Sequence, residues 1–253
     1  MKVASTRPTV LITGAAAGMG RAHCRCLIAE GWNVVAVDRD RTGLASLTAE
    51  VGAERVVTVE GDVRQPDLAT AAVEVALDRF GRLDGLVNNA GYGLQRSLLD
   101  SSADDLLDQL AVHVEAALAF SLAAEPYLRQ ARGAIVNVSS EWALAGPCTW
   151  PQPPAVAYCA GKAGVLGLTR ALARQLAPEV RVNAIAPGGA RTETTLSHYD
   201  PETLARKIAG VPAQRWAEPA EYSLFVRYLL SPAARLVTGQ VLSPNGGEVI
   251  AGG

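Results

Sequence analysis

Seven short, nearly continuous apolar runs, most of them bearing Val and Ile, recur along the chain between longer stretches of helical spacing. They are Thr9–Thr13, Asn33–Val37, Val56–Glu60, Gly85–Asn88, Ala134–Val138, Arg181–Ile185 and Gln240–Leu242. A strand with one wet face alternates apolar and polar residues, whereas a strand covered on both faces does not. The runs therefore predict parallel strands joined by right-handed helical crossovers, an α/β arrangement of βαβ units. No linker or internal repeat interrupts residues 1–253, so one domain is expected. Pro66 suits the first position of a helix that Gly81 stops. Ser102 with Asp105 suits the capped start of a long helix.

Composition narrows the class. Apolar residues make up 49% of the chain, charged residues 19%, and the formal charge is −2. That balance excludes general disorder and gives no basic surplus for nucleic acid. No apolar run reaches the ~18 residues of a membrane span, and the short polar stretch Met1–Pro8 does not read as a signal peptide. Cys24, Cys26, Cys148 and Cys159 show neither metal-ligand spacing nor a disulfide framework. The expectation is a cytoplasmic protein with no metal, nucleic-acid or membrane partner.

The first run leads into Thr13-Gly14-Ala15-Ala16-Ala17-Gly18-Met19-Gly20, which opens a helix. Glycines let the backbone approach a pyrophosphate, and a helix start offers unpaired N–H groups and partial positive charge. Gly14, Ala17, Gly18, Met19 and Gly20 are thus candidate dinucleotide contacts. Asp38 ends the second run, where a carboxylate accepts both ribose hydroxyls of an adenosine. It would repel a 2′-phosphate at a cost of roughly 4 kcal/mol per charge pair at ~4 Å and an effective dielectric of ~20. NAD is expected over NADP. Arg39 and Arg41 argue the other way, since either side chain reaches toward a phosphate; alternatively Arg39 covers the adenine or is solvated. Asp62 either accepts from the adenine amino group or caps a turn. Gly14, Asp38, Asp62, Asn88, Ser140 and Pro187 all fall at carboxyl ends of predicted strands, where open parallel sheets bind ligands.

Taken in order, the glycine motif, Asn88-Asn89-Ala90-Gly91, Ser139-Ser140, Tyr158-Cys159-Ala160-Gly161-Lys162, Asn183 and Pro187-Gly188 resemble the short-chain dehydrogenase/reductase family over essentially residues 8–247. The resemblance implies a Rossmann-like, doubly wound, seven-stranded parallel sheet with helices on both faces. It also implies a nicotinamide cofactor, hydride transfer, and a homotetramer or homodimer built through the long fourth and fifth helices. Val63, Asn89, Ala90, Gly91, Pro187, Gly188, Ala190 and Thr192 join the expected cofactor contacts. Ser140, Tyr158 and Lys162 become the catalytic set, with Tyr158 and Lys162 also holding the cofactor. Tyr158 is the acid/base, Lys162 its activator, and Ser140 a donor to the substrate oxygen. Tyr158 and Lys162 are four apart and share a helix face. Lowering a phenol from ~10 to ~7 needs about 4 kcal/mol, which one ammonium at ~4 Å supplies at a dielectric of ~20.

Two departures stand out. His113 occupies a position where the family usually has an asparagine that helps hold a water linking the lysine to solvent. It is a candidate catalytic residue through a ring nitrogen, or it simply packs. Ser140 and Tyr158 are 18 apart, farther than is usual in the family, and the gap carries Trp142, Trp150 and a proline-rich loop at Gly146–Pro154. Trp142 and Trp150 are candidate substrate contacts with Ser140 and Tyr158; pinning the loop is the alternative, especially for Trp150. Glu141 is expected to be a solvated charge; the alternative is a contact with a substrate amine or hydroxyl. Glu193–Gln214 is expected to be a mobile lid, with His198 and Tyr199 as further candidates. The function expected is hydride transfer between NAD(H) and a bulky or cyclic secondary alcohol or ketone. The alternatives are an NADPH-dependent 3-oxoacyl or polyketide-like ketone reductase and a non-catalytic nucleotide-binding scaffold.

Overall fold

The computed structural model describes residues 5–147, 155–197 and 199–250. Trp150, His198 and most of the proline-rich loop lie outside them. The strands are β1 (Thr9–Thr13), β2 (Asn33–Asp38), β3 (Val56–Glu60), β4 (Gly85–Asn88), β5 (Ala134–Val138), β6 (Arg181–Ile185) and β7 (Val241–Leu242). They form one sheet in the order β3-β2-β1-β4-β5-β6-β7, and every pairing is parallel. Because the order reverses between β1 and β4, a crevice opens above their carboxyl ends.

The helices are α1 (Gly18–Ala29), α2 (Arg41–Val51), α3 (Leu68–Phe80), α4 (Ala103–Leu110), α5 (Ala116–Ala131), α6 (Trp142–Ala145), α7 (Val156–Leu176), α8 (Glu193–Ser197), α9 (Pro201–Ala209) and α10 (Pro219–Leu230). The strand pleat sends alternate residues to two separate cores. Leu11, Val35, Val37, Leu86, Ile135 and Val182 pack with Ala72, Phe80, Phe120, Leu128 and Leu172, from α3, α5 and α7. Val10, Ile12, Val34, Ala36, Val87 and Val136 pack with Leu27, Leu44, Leu47, Val226 and Leu229, from α1, α2 and α10. This double covering is why the strands read as unbroken apolar runs.

Local signals act mostly as anticipated. Gly81 is left-handed (φ 74°) and ends α3. Ser102 and Asp105 form a reciprocal capping box on α4. Pro66, however, lies in a turn ahead of α3, whose N-cap is Asp67, because the chain needs another turn to clear the end of β3. A five-residue π turn, Ala111–Glu115, joins α4 to α5. The resulting continuous helix, Ala103–Ala131, is by length and composition apolar enough to cross a membrane, although charged residues such as Glu115 and Glu125 interrupt it and no unbroken apolar run of that length is present. Its buried residues, among them Phe120, Ala124 and Leu128, sit in the core under the sheet.

Two buried histidines make the fold sensitive to acid. Burial holds His23 down to about 3 and His113 down to about 2. His23 Nδ1 lies 2.8 Å from Ser223 Oγ, joining α1 to α10. A histidine kept neutral in the folded state takes up its proton only on unfolding. Stability is therefore intact above the unfolded value near 6.5 and falls as pH drops below it, toward the folded value. Urea titrations between pH 6 and 4 should show His23→Gln reducing the fall in unfolding free energy by about 1.4 kcal/mol per pH unit relative to the parent protein.

Candidate active site

The glycine-rich turn is braced from below. Thr13 Oγ1 accepts from the N–H groups of Asn89 and Ala90, each at 3.0 Å. Asn89 Nδ2 donates to the carbonyls of Thr13 (2.9 Å) and Gly14 (3.1 Å). Asn89 thus spends its side chain on holding the turn. Gly14 is left-handed (φ 66°), and a Cβ on Gly20 would lie 1.9 Å from Gly14 O. Above this turn α1 begins without a side-chain cap and with no acidic residue in its first turn. Its leading N–H groups remain available to an anion. Asp38 Oδ2 accepts from Ala16 N–H at 2.9 Å, so the carboxylate stands beside the turn at the end of β2. An uncapped helix start, a rigid glycine turn and an adjacent carboxylate are a donor and acceptor set that fits a dinucleotide. Gly20→Ala presses on backbone, not on a yielding side chain. Overpacking of this kind costs about 1–3 kcal/mol; a denaturation midpoint lowered accordingly, with at least tenfold weaker NADH binding by fluorescence titration, is expected.

The other expected cofactor residues fall around this crevice with different duties. Asp62 Oδ1 and Oδ2 accept from Arg64 Nε (3.0 Å) and Nη2 (2.6 Å). That pairing holds the Asp62 carboxyl down to about 2. Arg64 continues to Asp108 at 2.7 Å, tying the end of β3 to α4. Val63 is buried and Arg39 exposed. Gly18 faces Thr192, and Thr192 Oγ1 accepts from Thr195 N–H at 3.0 Å, opening α8. Met19, Pro187, Gly188 and Ala190 line the cavity that also holds Ser140 and Tyr158.

Tyr158 and Lys162 project from α7 toward the end of β5. The helix comes close because Gly161 and Gly164 face α4 and the π turn: a Cβ on Gly161 would lie 3.0 Å from both Gln109 O and His113 Cδ2, and one on Gly164 2.8 Å from Val114. Ser139 Oγ donates to Lys162 O at 2.8 Å, pinning β5 to α7. Lys162 Nζ donates to Val138 O at 2.9 Å and sits 5.8 Å from the Tyr158 ring centre. Burial pushes this ammonium down to about 7. The Tyr158 phenol is pushed up to about 12 by burial, with the hydroxyl of Ser140 pulling it back. In the chain alone, burial shifts both groups toward their neutral forms.

His113 is buried in the π turn, its ring edge-on to Tyr158 at 5.5 Å between centres. Nε2 lies 3.2 Å from Tyr92 O and 3.3 Å from Gln109 Oε1. Two oxygens there require Nε2 to carry the hydrogen, leaving Nδ1 as an acceptor. Nδ1 is buried and has no partner. Beside it is a cavity of about 10 Å³ lined by Thr13, Asn88, Ala90, His113 and Lys162 among others, roughly the room one water needs.

The larger cavity, about 220 Å³, is lined by Ser140, Tyr158, Trp142, Tyr199 and Trp216 among others. Trp142 meets Tyr158 edge-on at 5.9 Å and Tyr199 meets Trp216 at 5.7 Å. Trp142, expected near substrate, is here. Trp216, Lys207 and Glu248 line the same cavity and were missed; each arrives from a segment far from the catalytic motifs. Glu141, expected in solvent, is 4% exposed. The expected lid is two helices, the second capped by Asp200 with Pro201 at its start.

A family model described as enoyl-(acyl carrier protein) reductase matches residues 14–248. The chain is 36% identical over 247 residues to trans-4-hydroxycyclohexanecarboxylate dehydrogenase of Sinomonas cyclohexanicum, covering 94% of this chain and 91% of that one. The chain belongs to the short-chain dehydrogenase/reductase family. Another short-chain relative, the 3-oxoacyl-(acyl-carrier-protein) reductase of Thermotoga maritima, is 35% identical over 245 residues, covering 95% of this chain and 97% of that one. The crystal structure of 3-ketoacyl-(acyl-carrier-protein) reductase from Brucella melitensis complexed with NADH superposes with a TM-score of 0.88 at 30% identity, over 97% of this chain and 99% of that one. As a short-chain dehydrogenase/reductase, the protein is an oxidoreductase of CH–OH and ketone groups.

Proposed function

We propose that this protein is an NAD(H)-dependent dehydrogenase interconverting a cyclic or otherwise bulky secondary alcohol and its ketone. The observation that carries the reading is the position of Ser140 and Tyr158 on the wall of a cavity that Trp142, Tyr199 and Trp216 also line. Flat apolar walls suit a ring, and the two hydroxyls supply the polar contacts that orient it. Asp38 beside the glycine turn supports NAD, as does the NADH held by the Brucella relative. The 3-oxoacyl reductase reading with NADPH draws on the Thermotoga relative and on exposed Arg39.

In this mechanism the bound nicotinamide supplies or accepts the hydride. Ser140 donates to the substrate oxygen and fixes its distance from Tyr158. Tyr158 carries the proton that the oxygen gains on reduction and loses on oxidation. Its high proton affinity in the chain alone suits the acid role; a positive nicotinamide ring nearby favours the phenolate needed for oxidation. Lys162 steadies that phenolate. The small cavity lined by His113 and Lys162 has room for one water, which would carry the proton onward.

Activity should require Tyr158: Tyr158→Phe is expected to lose at least a thousandfold in kcat on a cyclohexanol-type alcohol, with NADH binding retained. NAD should exceed NADP by at least tenfold in kcat/KM, a difference of about 1.4 kcal/mol, and Asp38→Ala should narrow it. His113→Leu should lower kcat about tenfold while His113→Asn stays within about threefold, because the amide also holds a water. Equal use of both cofactors, or an indifferent His113→Leu, would count against these roles.

We further place the protein in the cytoplasm as a homo-oligomer. Cys24 and Cys26 are free thiols, in keeping with a reducing compartment. Leu107 (62% exposed) and Leu122 (64% exposed) stand on the outside of the long α4–α5 helix, an apolar face suited to a second copy. Sedimentation should give a dimer or tetramer, and Leu122→Glu should shift it toward the monomer.

A further inference from the structure

Three charged side chains from distant parts of the chain meet at one end of the substrate cavity. Glu141 follows Ser140 directly, Glu248 follows the turn after β7, and Lys207 comes from α9; all three line the cavity that holds Ser140 and Tyr158. Glu141 is 4% and Lys207 7% exposed. The Glu141 backbone is fixed by its N–H bond to Pro187 O at 3.0 Å. Its carboxyl group packs over Gly188, where a Cβ would lie 3.1 Å from Oε2. Glu248 is set by the turn in which Gly247 N–H donates to Asn245 Oδ1 at 2.9 Å. Lys207 Nζ stands 5.1 Å from the ring centre of Tyr199.

Among the described residues, two polar atoms on side chains that line this cavity are buried without a hydrogen-bond partner: an acceptor, Glu141 Oε2, and a donor, Trp216 Nε1. Burial and the neighbouring Glu248 raise the proton affinity of Glu141, and Lys207 opposes the rise. With one proton held between the two carboxyls, the group as a whole is neutral with Lys207 charged. A third carboxylate placed there would be a further buried negative charge with no cation left to itself. A hydroxyl adds no charge and can donate to the carboxyl of Glu141.

We propose that Glu141, backed by Glu248 and Lys207, is a specificity-determining residue that binds a second, neutral hydroxyl of the substrate, so that the preferred substrates are cyclic diols or polyols. The inference rests on the reading above that a cyclic secondary alcohol occupies this cavity. It separates a diol from a ring alcohol whose distal group is a carboxylate.

The test is binding to the NADH-saturated enzyme, read by quenching of tryptophan fluorescence. The probes are trans-1,4-cyclohexanediol, cyclohexanol and trans-4-hydroxycyclohexanecarboxylate. The parent protein should bind the diol about tenfold more tightly than either of the others. Glu141→Ala should bring the ratio of diol to cyclohexanol affinity close to one, and Glu141→Gln, which keeps an acceptor of the same shape, should hold the ratio within about threefold of the parent value. An unchanged ratio in Glu141→Ala overturns the proposal, as does tighter binding of the carboxylate than of the diol by the parent protein, a comparison that needs no variant. Failure to oxidise any of these alcohols in a separate assay with NAD or NADP as hydride acceptor, while the ratios behave as stated, would overturn the dehydrogenase reading and leave the assignment of Glu141 standing.

Discussion

Parallel pairing buried on both faces is the constraint from which the site follows. Every strand of such a sheet ends on the same side, and the reversal of order between β1 and β4 leaves a gap above those ends. Thr13, Asp38, Asn88 and Val138 are therefore brought to one rim by topology alone. The chemistry is supplied by whatever the loops after those strands carry, here the glycine turn, Ser140 and the Pro187–Gly188 step.

Placement within that rim depends on a second, finer constraint. α7 brings Tyr158 and Lys162 to the crevice only because small residues let it lie against the π turn. The π turn carries His113, whose buried ring meets Tyr158 edge-on. Gly91 completes the fit, since a Cβ there would collide with the His113 ring at 2.4 Å. The imidazole, the glycine and the lysine share one space, and a larger group at any of the three would displace the others.

Strand positions were legible because burial on both faces leaves a simple signature, and the six cores of β1 to β6 match the apolar runs to within one residue at an end. The ordered motifs made Ser140, Tyr158 and Lys162 legible as a set. What composition and spacing did not reveal were side chains whose role is decided by distant partners. Glu141 reads as a solvated charge beside a loop until α9 and the turn after β7 close over it. Trp216 and Lys207 sit in segments without motif, and only the packing of the last third of the chain turns them toward the pocket. The proton affinity of Tyr158 in the chain alone is of the same kind: a neighbouring ammonium is visible in spacing, but the loss of water that raises it is not.

The brace formed by Thr13 and Asn89 has a bearing on how the enzyme cycles. With four hydrogen bonds already fixing the strand end and the turn above it, the turn proposed to cradle the phosphates is braced before any coenzyme arrives. Little ordering is then required on arrival and little is released on departure. Coenzyme exchange would be governed by the mobility of the segments that cover the cradle, leaving the floor beneath it as a stationary anvil through successive turnovers.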